Sequence, residues 1–114
     1  MELINVNHFL GTESLFDLFK AQLKKDFEGA GLSGTFTDSL PDQFDQLKTS
    51  MMRQIEPLSQ ASHLPSLLYR VDISEIQLKN YKQTSPHIPF EELVAELIIK
   101  RVLQKVILKK KFSS

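Results

Sequence analysis

The amino-acid sequence contains no cysteine. This absence excludes disulfide scaffolds, thiolate zinc sites, iron–sulfur clusters and cysteine nucleophiles. No apolar run approaches the roughly 18 residues of a membrane-spanning helix, and no basic region followed by an apolar stretch indicates a signal peptide. We therefore expect a cytoplasmic protein without a membrane span.

Residues that favour strands and turns are also scarce, since the sequence has five valines and four glycines against seventeen leucines. Leucine, lysine, glutamine and glutamate are good helix formers, whereas β-rich domains depend on valine, threonine and aromatic residues. The 114 residues, 41% hydrophobic and 25% charged, are enough for one domain with a real core. The sequence therefore predicts a single all-α domain over residues 1–114, a compact bundle of four or five helices with a long C-terminal helix.

Two helices are predicted in the first half of the chain. The first runs from about Glu13 to Glu28, after the suitable N-cap residue Thr12. The second follows a loop over residues 29–40 and ends near Glu56, because the next residue is a proline without an amide donor. Its apolar stripe consists of Phe44, Leu47, Met51, Ile55 and Leu58. The apolar residues among 1–11 are predicted to dock on the body of the domain.

The region from His63 to Gln83 fits two structures. As helices, it contains a short helix opened by Pro65 and a second one capped by Ser74. As a strand, the stretch 67–73 has one set of side chains on one face and a second set on the other. The first set is Leu67, Tyr69, Val71 and Ile73, and the second is Leu68, Arg70 and Asp72. We favour two short helices because no second convincing strand exists to pair with the first. The alternative is an α+β domain with one short strand near 67–73.

The longest predicted helix runs from Phe90 to about Lys111. Glutamates near its start and six basic residues in its second half complement the helix dipole. Its apolar side chains change face, so that those of the second half lie roughly opposite those of the first half. Either this is the central helix of the bundle, or its second half docks on a second copy or on another protein. The candidate interface residues are Ile99, Val102, Leu103 and Val106.

Charge is unevenly distributed along the neutral chain. Residues 1–95 contain 8 basic and 13 acidic side chains, whereas residues 96–114 contain 6 basic and 1 acidic. Such a basic cluster can neutralise phosphates and release their counterions, which predicts a candidate anion or nucleic-acid contact. The alternative is a solvated basic end that complements the helix dipole and is attracted to the acidic body. The candidate contact residues are Lys100, Arg101, Lys105, Lys109, Lys110 and Lys111.

No motif in the sequence is typical of catalysis, metal binding or cofactor binding. Residues 29–34 spell GxGxxG, but they follow a predicted helix rather than a strand, so we interpret them as a loop. His8, His63 and His87 include no local pair at metal-ligand spacing, and no GxSxG elbow is present. The paired carboxylates lie near predicted helix starts, where the helix dipole favours them. The sequence therefore predicts no catalytic residue, no cofactor and no metal.

An aromatic residue and an arginine are adjacent at Tyr69 and Arg70. Both residue types are enriched among the residues that dominate protein–protein binding energies. Because the apolar face changes along the C-terminal helix, we expect a non-enzymatic interaction or accessory protein of the cytoplasm that self-associates through this helix. The alternative is a nucleic-acid-binding accessory protein that uses the basic C-terminal segment.

Overall fold

The structure is a computed structural model, and it describes residues 13–58 and 63–112. In these residues five α-helices follow one another, with a 3-10 turn after the first, and no strand is present. The elements are α1 (Glu13–Gly29), the 3-10 turn (Thr35–Ser39), α2 (Phe44–Leu58), α3 (His63–Val71), α4 (Glu75–Thr84) and α5 (Phe90–Phe112). The all-α prediction is confirmed, as is the long C-terminal helix.

Helix α1 has the predicted boundaries to within one residue. It ends in a glycine turn, in which Gly31 has a φ of +83° and the Leu32 amide donates to the Phe27 carbonyl at 2.9 Å. This left-handed conformation at the end of a helix favours glycine. The GxGxxG string is thus part of a helix end and its following loop. The predicted cap Thr12 and the segment 1–11 lie outside the described residues.

Helix α2 buries the predicted stripe against the core. Four of its five members are fully covered, and Leu58 is partly covered. The helix extends two residues past its predicted end and includes Pro57 in its last turn. A proline there removes a single hydrogen bond near the terminus, so it interrupts less than it would in the middle of a helix.

The strand alternative near 67–73 is wrong, because most of this stretch belongs to α3. On a strand, Leu67, Tyr69 and Val71 would share one face. In the structure Leu67 and Val71 are buried together with Leu64, at helical spacing, while Tyr69 is 83% exposed. The burial pattern therefore has the period of a helix.

A short turn joins α3 to α4. Asp72 adopts a φ of +73°, a left-handed conformation that aspartate tolerates better than most residues. Ser74 then caps α4 as predicted: its hydroxyl accepts from the Gln77 amide at 3.1 Å, and the Gln77 side chain accepts from the Ser74 amide at 2.9 Å. This reciprocal pair is a capping box.

Helix α5 lies at the centre of the bundle and packs against all four other helices. Its two apolar faces are both covered, with Leu93, Val94 and Ile98 from the first half buried alongside the side chains of the second half. The central-helix interpretation therefore accounts for the change of apolar face along the sequence.

Candidate interaction surfaces

The four residues predicted to contact a partner lie inside the chain. Ile99, Val102 and Leu103 have no exposed surface, and Val106 is 3% exposed. The first three belong to the same cluster of buried side chains as Phe19, Leu23 and Phe27 of α1. In this fold the second apolar face of α5 is covered by the chain's own helices at Ile99, Val102 and Leu103, which offer no free surface to a second copy.

The basic side chains of α5 are directed to partners in their own chain. Lys105 donates to the Asp26 carboxylate at 2.8 Å and to the Arg70 carbonyl at 3.1 Å. Arg101 donates to the Asp72 carboxylate at 2.6 Å. These contacts match the interpretation in which the basic end is attracted to the acidic body.

The other candidate anion-contact residues fit the same arrangement where they are described. Lys109 donates to the Gln22 side chain at 2.6 Å, and Lys100 donates to the Tyr81 hydroxyl at 3.1 Å. Lys110 is exposed but also interacts within the chain. The side chain of Lys111 lies outside the described part. The candidates are thus spread over several intramolecular contacts rather than gathered into one free basic patch.

A polar network joins α2, α4 and α5 around the buried Glu96. One carboxylate oxygen accepts from Lys48 at 3.2 Å, and the other accepts from the Tyr81 hydroxyl at 2.8 Å. Lys48 also donates to Glu92 at 3.2 Å. Burial, the largest single effect, lowers the pKa of Lys48, but the hydrogen bonds and charges of Glu96 and Glu92 outweigh it and raise the pKa above the usual 10.5. The network fixes α4 and α2 to the central helix.

The described histidines and carboxylates do not converge on a metal site. His63 begins α3 and His87 lies between α4 and α5, and both are exposed. In residues 13–58 and 63–112, no group of three or more histidines, aspartates and glutamates could hold a metal ion. His8 lies outside these ranges.

An apolar groove of about 450 Å³ opens between α3, α4 and the start of α5. We call it the α3–α4 groove; its apolar lining consists of Leu64, Pro65, Leu68, Tyr69, Ile73, Leu78 and Phe90. Ser74 and Glu75 lie at its polar edge. Tyr69 is 83% exposed and also borders a neighbouring hollow beside Gly29. It therefore stands as a ridge next to a groove. The residue types of Tyr69 and Arg70 indicated a binding role, but their sequence positions do not show that Tyr69 projects from the surface.

A second groove, of about 310 Å³, lies between α1 and α5 on residues that the first groove does not use. We call it the α1–α5 groove; it is lined by Leu18, Ala21, Gln22, Lys25, Val106, Lys109 and Lys110. Leu18 is 46% exposed at its edge. The sequence contained no signal for this groove, because its two walls are about eighty residues apart in the chain.

Comparison of the chain with protein-family models, with curated proteins and with solved structures found no match. None of the described helices combines the length and the apolar character that crossing a membrane requires. The fold and its surfaces therefore define an all-α helical bundle with two apolar grooves.

Proposed function

We propose that this protein is a cytoplasmic, non-enzymatic interaction protein that self-associates through the α3–α4 groove. The observation that carries the proposal is the exposure of Tyr69 beside an open apolar groove. Exposed aromatic side chains next to apolar pockets are typical of the residues that dominate binding energies. The proposed contact replaces the one expected on α5, whose apolar face is already covered.

The shape of this surface suits a second copy of the same chain. A two-fold symmetric interface requires a self-complementary patch, in which a projection on one copy meets a recess on the other. Tyr69 supplies the projection and the α3–α4 groove supplies the recess, on the same side of the molecule. A two-fold axis that passes between Tyr69 and the centre of the groove would place each tyrosine ring over the groove of the other copy.

The area of this patch sets the expected strength of the dimer. An aromatic side chain as exposed as Tyr69 offers on the order of 200 Å², and the surrounding groove brings the patch to about 400 Å². Two copies would then bury about 800 Å² in total, below the roughly 1,200–2,000 Å² of stable specific complexes and in the range of transient ones. We therefore expect a weak, reversible dimer that forms at high protein concentration.

The mass of the purified protein in solution, measured by light scattering over a range of concentrations, tests the proposal. The expected mass rises from 13.1 kDa toward twice that value, and it changes little with salt because the contact is apolar. Tyr69→Asp is expected to shift the dissociation constant at least tenfold, whereas Gln46→Asp, which adds the same charge at an exposed position of α2, leaves it unchanged. A mass of 13.1 kDa at millimolar concentration would contradict the proposal.

Nucleic-acid binding by the basic segment has less support. Arg101 and Lys105 each pair with a carboxylate of their own chain, and Lys100 donates to the Tyr81 hydroxyl, so phosphate would have to compete with those contacts. Binding to DNA or RNA that weakens steeply with salt would restore this alternative.

A further inference from the structure

Two helical rows face each other across the α1–α5 groove. On α1, Leu18, Ala21 and Lys25 follow one another at spacings of three and four residues; on α5, Val106 and Lys110 lie one turn apart. Residues at these spacings share one side of a helix. The groove therefore has walls like those that two helices of a bundle present to a third helix.

The chemistry of the groove selects the kind of helix that fits. Val106 lies at its base and Leu18 and Ala21 provide apolar surface. Lys25 on one wall and Lys109 on the other are exposed, and no acidic residue lines the groove in the described part of the chain. Within the described residues, Lys109 donates one hydrogen bond, to Gln22, which leaves two of its three ammonium donors for another partner.

We infer that the α1–α5 groove binds an acidic amphipathic helix of a partner protein. The apolar ridge of that helix contacts Leu18, Ala21 and Val106, and its aspartates or glutamates pair with the lysines at the two edges. The α1 wall from Leu18 to Lys25 is about 10 Å long at 1.5 Å per residue, so two turns of the partner make the contact. Anchors at positions i, i+3, i+4 and i+7 are the usual way in which a helix occupies such a groove.

This partner surface is independent of the proposed self-association. The two grooves share no lining residue, so a partner helix and a second copy can be bound by the same molecule. Substitutions in one groove are expected to leave binding at the other unchanged.

Fluorescence anisotropy with a synthetic peptide tests the inference on the full chain. The probe is a fluorescein-labelled 14-residue helix with leucines at i, i+3, i+4 and i+7 and glutamates at the flanking positions. A matched peptide carries lysines in place of the glutamates. We expect the acidic peptide to bind at least tenfold more tightly than the basic one, and to bind more weakly as salt is raised.

Variants of the protein locate the binding. Ala21→Glu, at an exposed position of the groove, should weaken the acidic peptide more than tenfold, and Lys25→Glu at least threefold. Lys79→Glu makes the same charge change as Lys25→Glu, but at an exposed position of α4, and it should alter binding by less than twofold. Circular dichroism checks that each variant keeps its helices.

Four outcomes would overturn the inference. Equal affinity for both peptides, or binding that Ala21→Glu does not change, would mean that the groove does not select an acidic helix. Absence of binding to the full chain would mean that the groove does not accept such a helix. If Ala21→Glu instead abolished a dimer seen by light scattering, the groove would be an interface between copies.

Discussion

Helices α4 and α5 are neighbours in the sequence, yet they are held in the molecule by different forces. Helix α5 packs against every other helix and buries apolar side chains on two faces. Helix α4 has no buried residue, and its Ile76 is 72% exposed. The absence of a single apolar stripe is thus no sign of exposure here, because α5 has no single stripe and is buried on two faces.

Polar contacts replace much of the apolar packing in α4. The capping box of Ser74 and Gln77 organises its first turn, and the Tyr81 hydroxyl bonds to the buried carboxylate of Glu96. Leu78 adds partly buried apolar contact. Since few apolar groups are covered, α4 should open at a lower free energy than α5 does.

Replacement by glutamate at Val102 of α5 and at Ile76 of α4 should give the largest difference between the two helices in the free energy of unfolding. Val102→Glu places a carboxylate in the core without a partner, which we expect to cost more than 4 kcal/mol and to remove cooperative unfolding. Ile76→Glu should change the free energy of unfolding by about 0.5 kcal/mol or less, since this side chain is mostly in water. Thermal denaturation followed by circular dichroism measures both. A folded, stable Val102→Glu monomer would show that α5 is not the centre of the core.

Local spacing in the sequence predicts most of the helices correctly, because the spacing of apolar residues and the capping residues act within a few turns. The stripe of α2, the Ser74 cap and the extent of α5 are examples. The ambiguity near 67–73 arose because apolar residues in so short a stretch fit both the two-residue period of a strand and the 3.6-residue period of a helix. Only the exposure of Tyr69 distinguishes them, and exposure depends on what packs nearby.

The surfaces could not be predicted in the same way. The change of face along α5 correctly showed that two sides of the helix need cover, but not whether this chain or another one covers them. The pairing of Lys105 with Asp26 spans 79 residues, and that of Lys48 with Glu96 spans 48. Such pairs are set by how the helices assemble, which apolar spacing within one helix does not encode.

Lys48→Met should reveal how much of the connection between α2 and α5 depends on charge. Lys48 is the cation next to the buried Glu96, and its removal leaves that carboxylate without its ion pair. Lys48 keeps about a fifth of its side chain in water, so solvent screens the pair, and we expect a loss of about 2 kcal/mol near neutral pH. Urea denaturation at pH 7 measures this loss, and Lys79→Met, at an exposed lysine of α4, should cost about 0.5 kcal/mol or less.

The pH dependence of this loss has a defined direction. The folded-state pKa of Lys48 lies above the usual 10.5, so the protonated lysine stabilises the fold fully below that value. As the pH rises through the folded-state pKa, the proton is lost in both states and the stabilisation disappears. The difference between the wild-type protein and Lys48→Met should therefore shrink above about pH 10.5. A difference that stayed constant to pH 12 would mean that the lysine stabilises through the packing of its aliphatic stem rather than through its charge.

Ser74→Ala has the smallest expected effect, and it tests whether α4 is locally less stable than α5. Removing the capping hydroxyl leaves the Gln77 amide without its acceptor, at a cost of about 1 kcal/mol. If α4 opens separately from the core, its amide hydrogens should exchange about fivefold faster, while the amides of Ile98 and Val102 in α5 should change much less. Ser66→Ala, at an exposed position of α3 that caps no helix, serves as the control. Equal acceleration in both helices would mean that α4 unfolds only with the whole domain, so that its polar contacts hold it as firmly as burial holds α5.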